Sequence, residues 1–316
     1  MWADAPGGWV HEWSKLAATY ADAGSHERAA LAYGWARFPT LADESKRVAL
    51  AKQLAQYQLA APGFGVRFQR HVLPLPYRGR TTDVAVHQFA PFDLPEDRPV
   101  VIASGGVDSW KMDVHRLMVL LATHLRARVL AFDIAGTGES TVPMTGAGGA
   151  EMVIGLIEHA RSLGDGVVAH VGISMGGYYS ARTGLGGEVD AAVVLGGPVE
   201  AAFTGAREYA FGMGGIVGNA MGFDAPPDTG HCAVSKMPEV FPTILGWLDR
   251  TLTATAETVR RPSPAPEPWP TPKASGSTDR HYFPEVRGMA RTLRVSAPIS
   301  SDRERLYAAS GWLRRR

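Results

Sequence analysis

The stretch Gly172-Ile173-Ser174-Met175-Gly176 holds the residues best suited to chemistry. It follows the apolar run Val167-Val168-Ala169-His170-Val171, which reads as a buried strand, and a helix is expected from about Gly177. A serine at a sharp strand-to-helix turn has its hydroxyl raised above the sheet edge beside a helix N-terminus, where it can attack a carbonyl carbon. The flanking glycines suit a turn too tight for side chains. The competing reading is a structural turn, because Gly and Ser are common in turns. The strand before and the helix after favour a nucleophile.

A serine nucleophile needs donors for the oxyanion formed on attack. One is expected from the backbone N–H of Met175. The other is expected from Ser104-Gly105-Gly106-Val107-Asp108-Ser109-Trp110, where the N–H of Gly106 or Val107 could face the substrate carbonyl. An ordinary Gly-Gly turn is the alternative, and Asp108 reads as a brace of this loop. The glycines of Asp133-Ile134-Ala135-Gly136-Thr137-Gly138-Glu139-Ser140 match neither the Walker spacing with its lysine nor a dinucleotide fingerprint, so that segment reads as structural. The base expected for the serine is His231, in Pro227-Asp228-Thr229-Gly230-His231-Cys232-Ala233, which follows the serine and precedes an amphipathic helix expected over 239–252. His281 also follows the serine but falls in an unpatterned tail, and Cys232 reads as a packing residue.

The elements that must position these residues alternate. Residues 9–60 read as helices: Leu31, Trp35 and Phe38 form one apolar row, Leu50, Leu54 and Tyr57 another, with Pro39 as a break and Asp43 as a helix cap. A single helical-hairpin repeat is the alternative, but one copy cannot build a solenoid. Strands are expected over 68–73, 83–89, 99–103, 128–132, 167–173 and 191–195, and helices over 114–124 and 151–163. Buried strands alternating with helices imply a mostly parallel sheet covered on both faces. Residues 1–65 thus read as a helical, cap-like subdomain and 66–254 as an α/β core. Residues 255–316, where Pro262, Pro264, Pro266, Pro268, Pro270 and Pro272 alternate with other residues, read as a poorly ordered tail.

Composition narrows the function. With 316 residues, 45% of them hydrophobic, one α/β domain of about 200–250 residues plus a smaller attachment is expected. A net charge of +1 argues against nucleic-acid and membrane-surface partners. The single cysteine forms no internal disulfide, the N-terminus lacks signal-peptide character, and no long apolar run suggests a membrane span, so a cytoplasmic protein is expected.

The helical N-terminal segment, Gly105-Gly106-Val107-Asp108-Ser109, Asp133–Ser140, the serine turn and Gly230-His231-Cys232 together resemble, within the α/β-hydrolase superfamily, the FrsA-like esterases. They also resemble the related 2,6-dihydroxypseudooxynicotine hydrolases and the fungal polyketide-shortening hydrolases. The resemblance runs from about residue 10 to residue 252. It implies an α/β-hydrolase fold and cleavage of an ester, or of a carbon–carbon bond next to a ketone, in a small organic substrate. No cofactor or metal is implied. The expected partner is the carbonyl substrate, with a homodimer left open.

In that family the acid that orients the histidine lies after a strand between serine and histidine. Here Ser174 and His231 are 57 residues apart, about half the family's interval, and no β-rich run followed by Asp lies between them. The sheet is therefore expected to be short of one strand–helix unit near its C-terminal end. Glu200, which follows the strand at 191–195, is the first candidate acid, and Asp224 and Asp228 are others. The carbon–carbon-cleaving relatives use an extra carboxylate in roughly the region of Glu200. Two further functions stay open: a lyase that eliminates an acyloxy group, and a binding protein impaired by loss of the acid.

Overall fold

A computed structural model describes residues 5–197 together with 245, 246, 248–250, 252 and 253. Three helices lead: α1 (Trp9–Asp22), α2 (His26–Arg37) and α3 (Glu44–Ala60), then a 3-10 turn at Ala61–Gly63. The Asp43 carboxylate caps α3, accepting from the Lys46 backbone N–H at 2.9 Å. The strands are β1 (Arg67–Tyr77), β2 (Arg80–Ala90), β3 (Val100–Ser104), β4 (Arg128–Phe132), β5 (Val168–Ile173) and β6 (Ala191–Leu195). Between them run α4 (His115–Leu125), α5 (Gly146–Arg161) and α6 (Met175–Leu185).

The six strands form one sheet in the order β1-β2-β4-β3-β5-β6, with β2 antiparallel to both neighbours and β3 to β6 mutually parallel. This is a mostly parallel α/β-hydrolase sheet. In β3, Val101 and Ala103 pack with Leu117, Leu121 and Leu248 on one face, while Val100 and Ile102 pack with Met152, Leu156 and Tyr179 on the other. Strands buried on both faces explain their unbroken apolar runs. Leu245, Leu248 and Leu252, on the described part of the helix expected over 239–252, are all buried.

Three features depart from the expectations. The hairpin β1–β2 runs beyond the expected strands, through Pro74 and Pro76, to a two-residue turn at Arg78-Gly79. Both turn residues have positive φ, 52° and 70°, as a type I′ turn requires. Prolines two apart lack N–H groups on the same side, and β1 is an edge strand whose outer side needs none. Helix α5 begins at Gly146 rather than near Glu151, because Thr145 caps it through Gly148 N–H (3.1 Å) and its small residues let it lie close to Tyr179 and Pro76. Finally, the row Leu31, Trp35, Phe38 is not the buried face of α2: Leu31 is 63% exposed and Trp35 43%. Alanines and Tyr33 fill the buried face instead, so side-chain size misled the periodicity. The row Leu50, Leu54, Tyr57 does pack inward. Among the described residues no helix is long and apolar enough to cross a membrane.

Candidate active site

Ser174 occupies the single residue between the end of β5 and the start of α6, with φ +53° and ψ −123°. A non-glycine residue rarely adopts this conformation, and it persists only where the surroundings hold it. Here Ser174 N–H donates to Leu195 O at 2.7 Å, and Gly177 N–H donates to Ser174 O at 2.8 Å. A Cβ on Gly172 would fall 2.2 Å from Gly176 O, and one on Gly176 would fall 2.4 Å from Gly105 O. Gly172 is therefore required by backbone contact across the turn, and Gly176 by backbone contact with the loop after β3.

The loop after β3 closes over the serine. Gly176 N–H donates to Gly105 O at 3.1 Å, and Gly106 N–H donates to Ser109 O at 2.8 Å. Of the two loop amides expected as donors, Gly106's is thus committed within the loop. The N–H groups of Val107 and Met175 make no hydrogen bond to any described residue, and both residues are buried. That pair of amides beside a half-buried serine hydroxyl can receive developing negative charge on a carbonyl oxygen.

Two charge clusters hold the loop. In the first, Lys111, fully buried, pairs with Asp133 and lies 2.8 Å from Glu139 Oε2, while Arg70 reaches Glu139 Oε1 at 2.5 Å. Asp133 also accepts from the backbone N–H groups of Lys111 (2.9 Å) and Glu139 (3.0 Å), tying the loops after β3 and β4 together. Burial opposes ionisation of Glu139, but Lys111 and Arg70 outweigh it and hold its pKa below the ordinary value. The segment Asp133–Ser140 is structural in this sense. In the second cluster, Arg37 from α2 pairs with Asp113 and donates to Asp108 O at 3.3 Å.

Arg37, Gln53 and Asp113 were not among the residues the sequence singles out. An arginine ending a helix ordinarily reads as a solvated cap. The one local signal is its place between Ala36 and the apolar Phe38-Pro39. The other expected site residues, His231, Glu200, Asp224 and Asp228, lie outside the described residues. Among the described residues no group of three or more His, Cys, Asp or Glu side chains could hold a metal.

The fold agrees with comparison to known proteins. Residues 100–314 match the alpha/beta hydrolase family, and the chain belongs to that family. Among solved structures it is similar to wild-type AbyA5, at 19% identity and TM-score 0.62, covering 79% of this chain and 66% of that one. A second AbyA5 structure gives 18% identity and TM-score 0.61, covering 79% and 69%. The 2,6-dihydroxy-pseudo-oxynicotine hydrolase gives 21% identity and TM-score 0.50, covering 70% of this chain and 63% of that one. At these identities the likeness is one of fold, and this chain spans about two thirds of each neighbour's length. No curated protein is matched by the chain.

Proposed function

We propose that the chain is a serine hydrolase of the FrsA-like branch of its family. It would cleave an ester, or a ketone-adjacent carbon–carbon bond, in a small organic substrate. Ser174 Oγ attacks the carbonyl carbon while His231 takes its proton, and the backbone N–H groups of Met175 and Val107 receive the oxyanion. Collapse of the tetrahedral intermediate breaks the bond to the leaving group, which takes the proton from His231; water then releases the acyl group by the same route. Glu200 is assigned to orient His231. The observation that carries the reading is the +53° φ of Ser174 at the strand–helix junction, with two uncommitted buried amides beside it. The family match supports the same chemistry.

The test is hydrolysis of p-nitrophenyl acetate together with covalent labelling by a fluorophosphonate. The wild type is expected to do both and Ser174→Ala neither. A wild type that neither turns over nor labels would overturn the reading and leave a binding protein on a hydrolase fold.

A further inference from the structure

The Gly106–Val107 peptide, which carries the Val107 N–H, makes no hydrogen bond of its own to any described residue. Every peptide around it is tied down. The Gly105–Gly106 peptide is held at both ends, by Gly176 N–H on Gly105 O (3.1 Å) and by Gly106 N–H on Ser109 O (2.8 Å). On the other side, Trp110 Nε1–H donates to Val107 O at 3.1 Å. Arg37 donates to the next carbonyl, Asp108 O, at 3.3 Å. The direction of the Val107 N–H is therefore set by its neighbours.

Those neighbours depend on one side chain from outside the α/β core. Arg37 is 1% exposed, and its guanidinium lies 3.6 Å above the centre of the Trp110 ring. Its other nitrogens engage Gln53 Oε1 at 3.1 Å and the Asp113 carboxylate. That carboxylate in turn accepts from the Trp110 backbone N–H at 2.7 Å and from Gln53 Nε2 at 3.4 Å. The planar guanidinium fork thus fixes Trp110 from above, through its ring, and from the side, through Asp113. It fixes the Asp108 carbonyl directly.

We infer that Arg37 is a positioning residue for the reaction, acting through Trp110 and Asp108 to aim the Val107 N–H at the oxyanion. The inference rests on the serine hydrolase reading given above. It assigns to α2 and α3 a part in the chemical step, besides any part in covering the substrate.

The test compares wild type with Arg37→Lys, which keeps the charge beside Asp113 but cannot span three partners. Trp110→Phe, a milder change, keeps an aromatic face beneath the guanidinium in a smaller ring and removes the donor to Val107 O. Turnover of p-nitrophenyl acetate is expressed per serine labelled by fluorophosphonate, so that misfolded molecules drop out. Affinity for phenylboronic acid, a tetrahedral oxyanion mimic, is measured alongside. Both variants are expected to lose roughly 10-fold or more in kcat with KM within about 2-fold, and to lose boronate affinity by a similar factor. If Arg37→Lys yields no folded protein, Trp110→Phe alone decides. A kcat per labelled serine and a boronate affinity unchanged in an active enzyme would overturn the inference and leave the serine hydrolase reading standing. A wild type without activity or labelling would remove both.

Discussion

Gly106 lies directly against Ser174: a methyl group on its α-carbon would fall 2.8 Å from Ser174 Cβ and 2.9 Å from Ser174 Oγ. The loop after β3 and the turn after β5 are therefore in van der Waals contact at the hydroxyl. Nothing larger than hydrogen fits between them without moving one or the other.

Gly106→Ala should consequently cost activity far more than stability. The added methyl must displace the loop or rotate the hydroxyl, and a displacement near 1 Å is worth about 100-fold in rate. The expected result is a fall of that order in kcat/KM for p-nitrophenyl acetate, with a thermal midpoint lowered by only a few degrees. An unchanged kcat/KM would show that the loop yields freely.

Gly172→Ala should cost stability as well. Its methyl would meet Gly176 O at 2.2 Å and Gly177 N at 2.7 Å, and backbone atoms cannot swing aside as a flexible side chain can. A stability loss of about 2–3 kcal/mol is expected from such overpacking, read from the urea unfolding midpoint.

Lys111→Met should be strongly destabilising. It would leave Asp133, 4% exposed, and the largely buried Glu139 without their shared cation. Breaking a buried ion cluster by removing one partner costs about 3–5 kcal/mol. Chemical denaturation at pH 7 measures the loss. Adding Asp133→Asn should recover part of it, since Glu139 keeps Arg70 while Asp133 has lost its only cation among the described residues.

Acid should weaken the fold through His170. This residue is fully buried in β5, its Nδ1 lies 3.0 Å from Thr183 Oγ1, and burial pulls its pKa down to about 3. The unfolded chain takes up a proton at the ordinary histidine value of about 6.5. The group's contribution is thus fully present above that pH and is lost progressively as pH falls from about 6.5 towards 3. The expected slope is about 1.4 kcal/mol per pH unit for one proton. Urea midpoints between pH 7 and 4.5 should show a shallower decline for His170→Gln. His87, whose pKa burial also lowers well below the usual value, keeps some of the slope.

The serine turn was readable in the sequence because it is local. Five residues and their flanking strand and helix carry most of the pattern, and Gly172 is needed by atoms of Gly176 and Gly177 within the turn; the need for Gly176 comes from Gly105 O on the loop after β3, which no local pattern shows. The parallel strands were readable because burial on both faces leaves unbroken apolar runs such as Val100-Val101-Ile102-Ala103. The start of α5 was not, since glycines that weaken an isolated helix become admissible only where Tyr179 and Pro76 approach closely. The outward face of α2 was hidden for a related reason: alanines fill a tight contact that bulky residues could not. Arg37 was hidden most fully. Its partners Asp108 and Asp113 lie 71 and 76 residues further along, and nothing local marks an arginine as buried.

That sequence separation has a consequence for how the molecule fails. The contact between Arg37 and the loop exists only while the leading helices are docked on the sheet, so the loop's geometry depends on that docking. Loosening of α2 alone, with every strand still paired, would release Trp110 and the Asp108 carbonyl. Mild heat or dilute denaturant should then silence the protein while its sheet is intact, and the onset of inactivation would track the edge of the molecule instead of its centre.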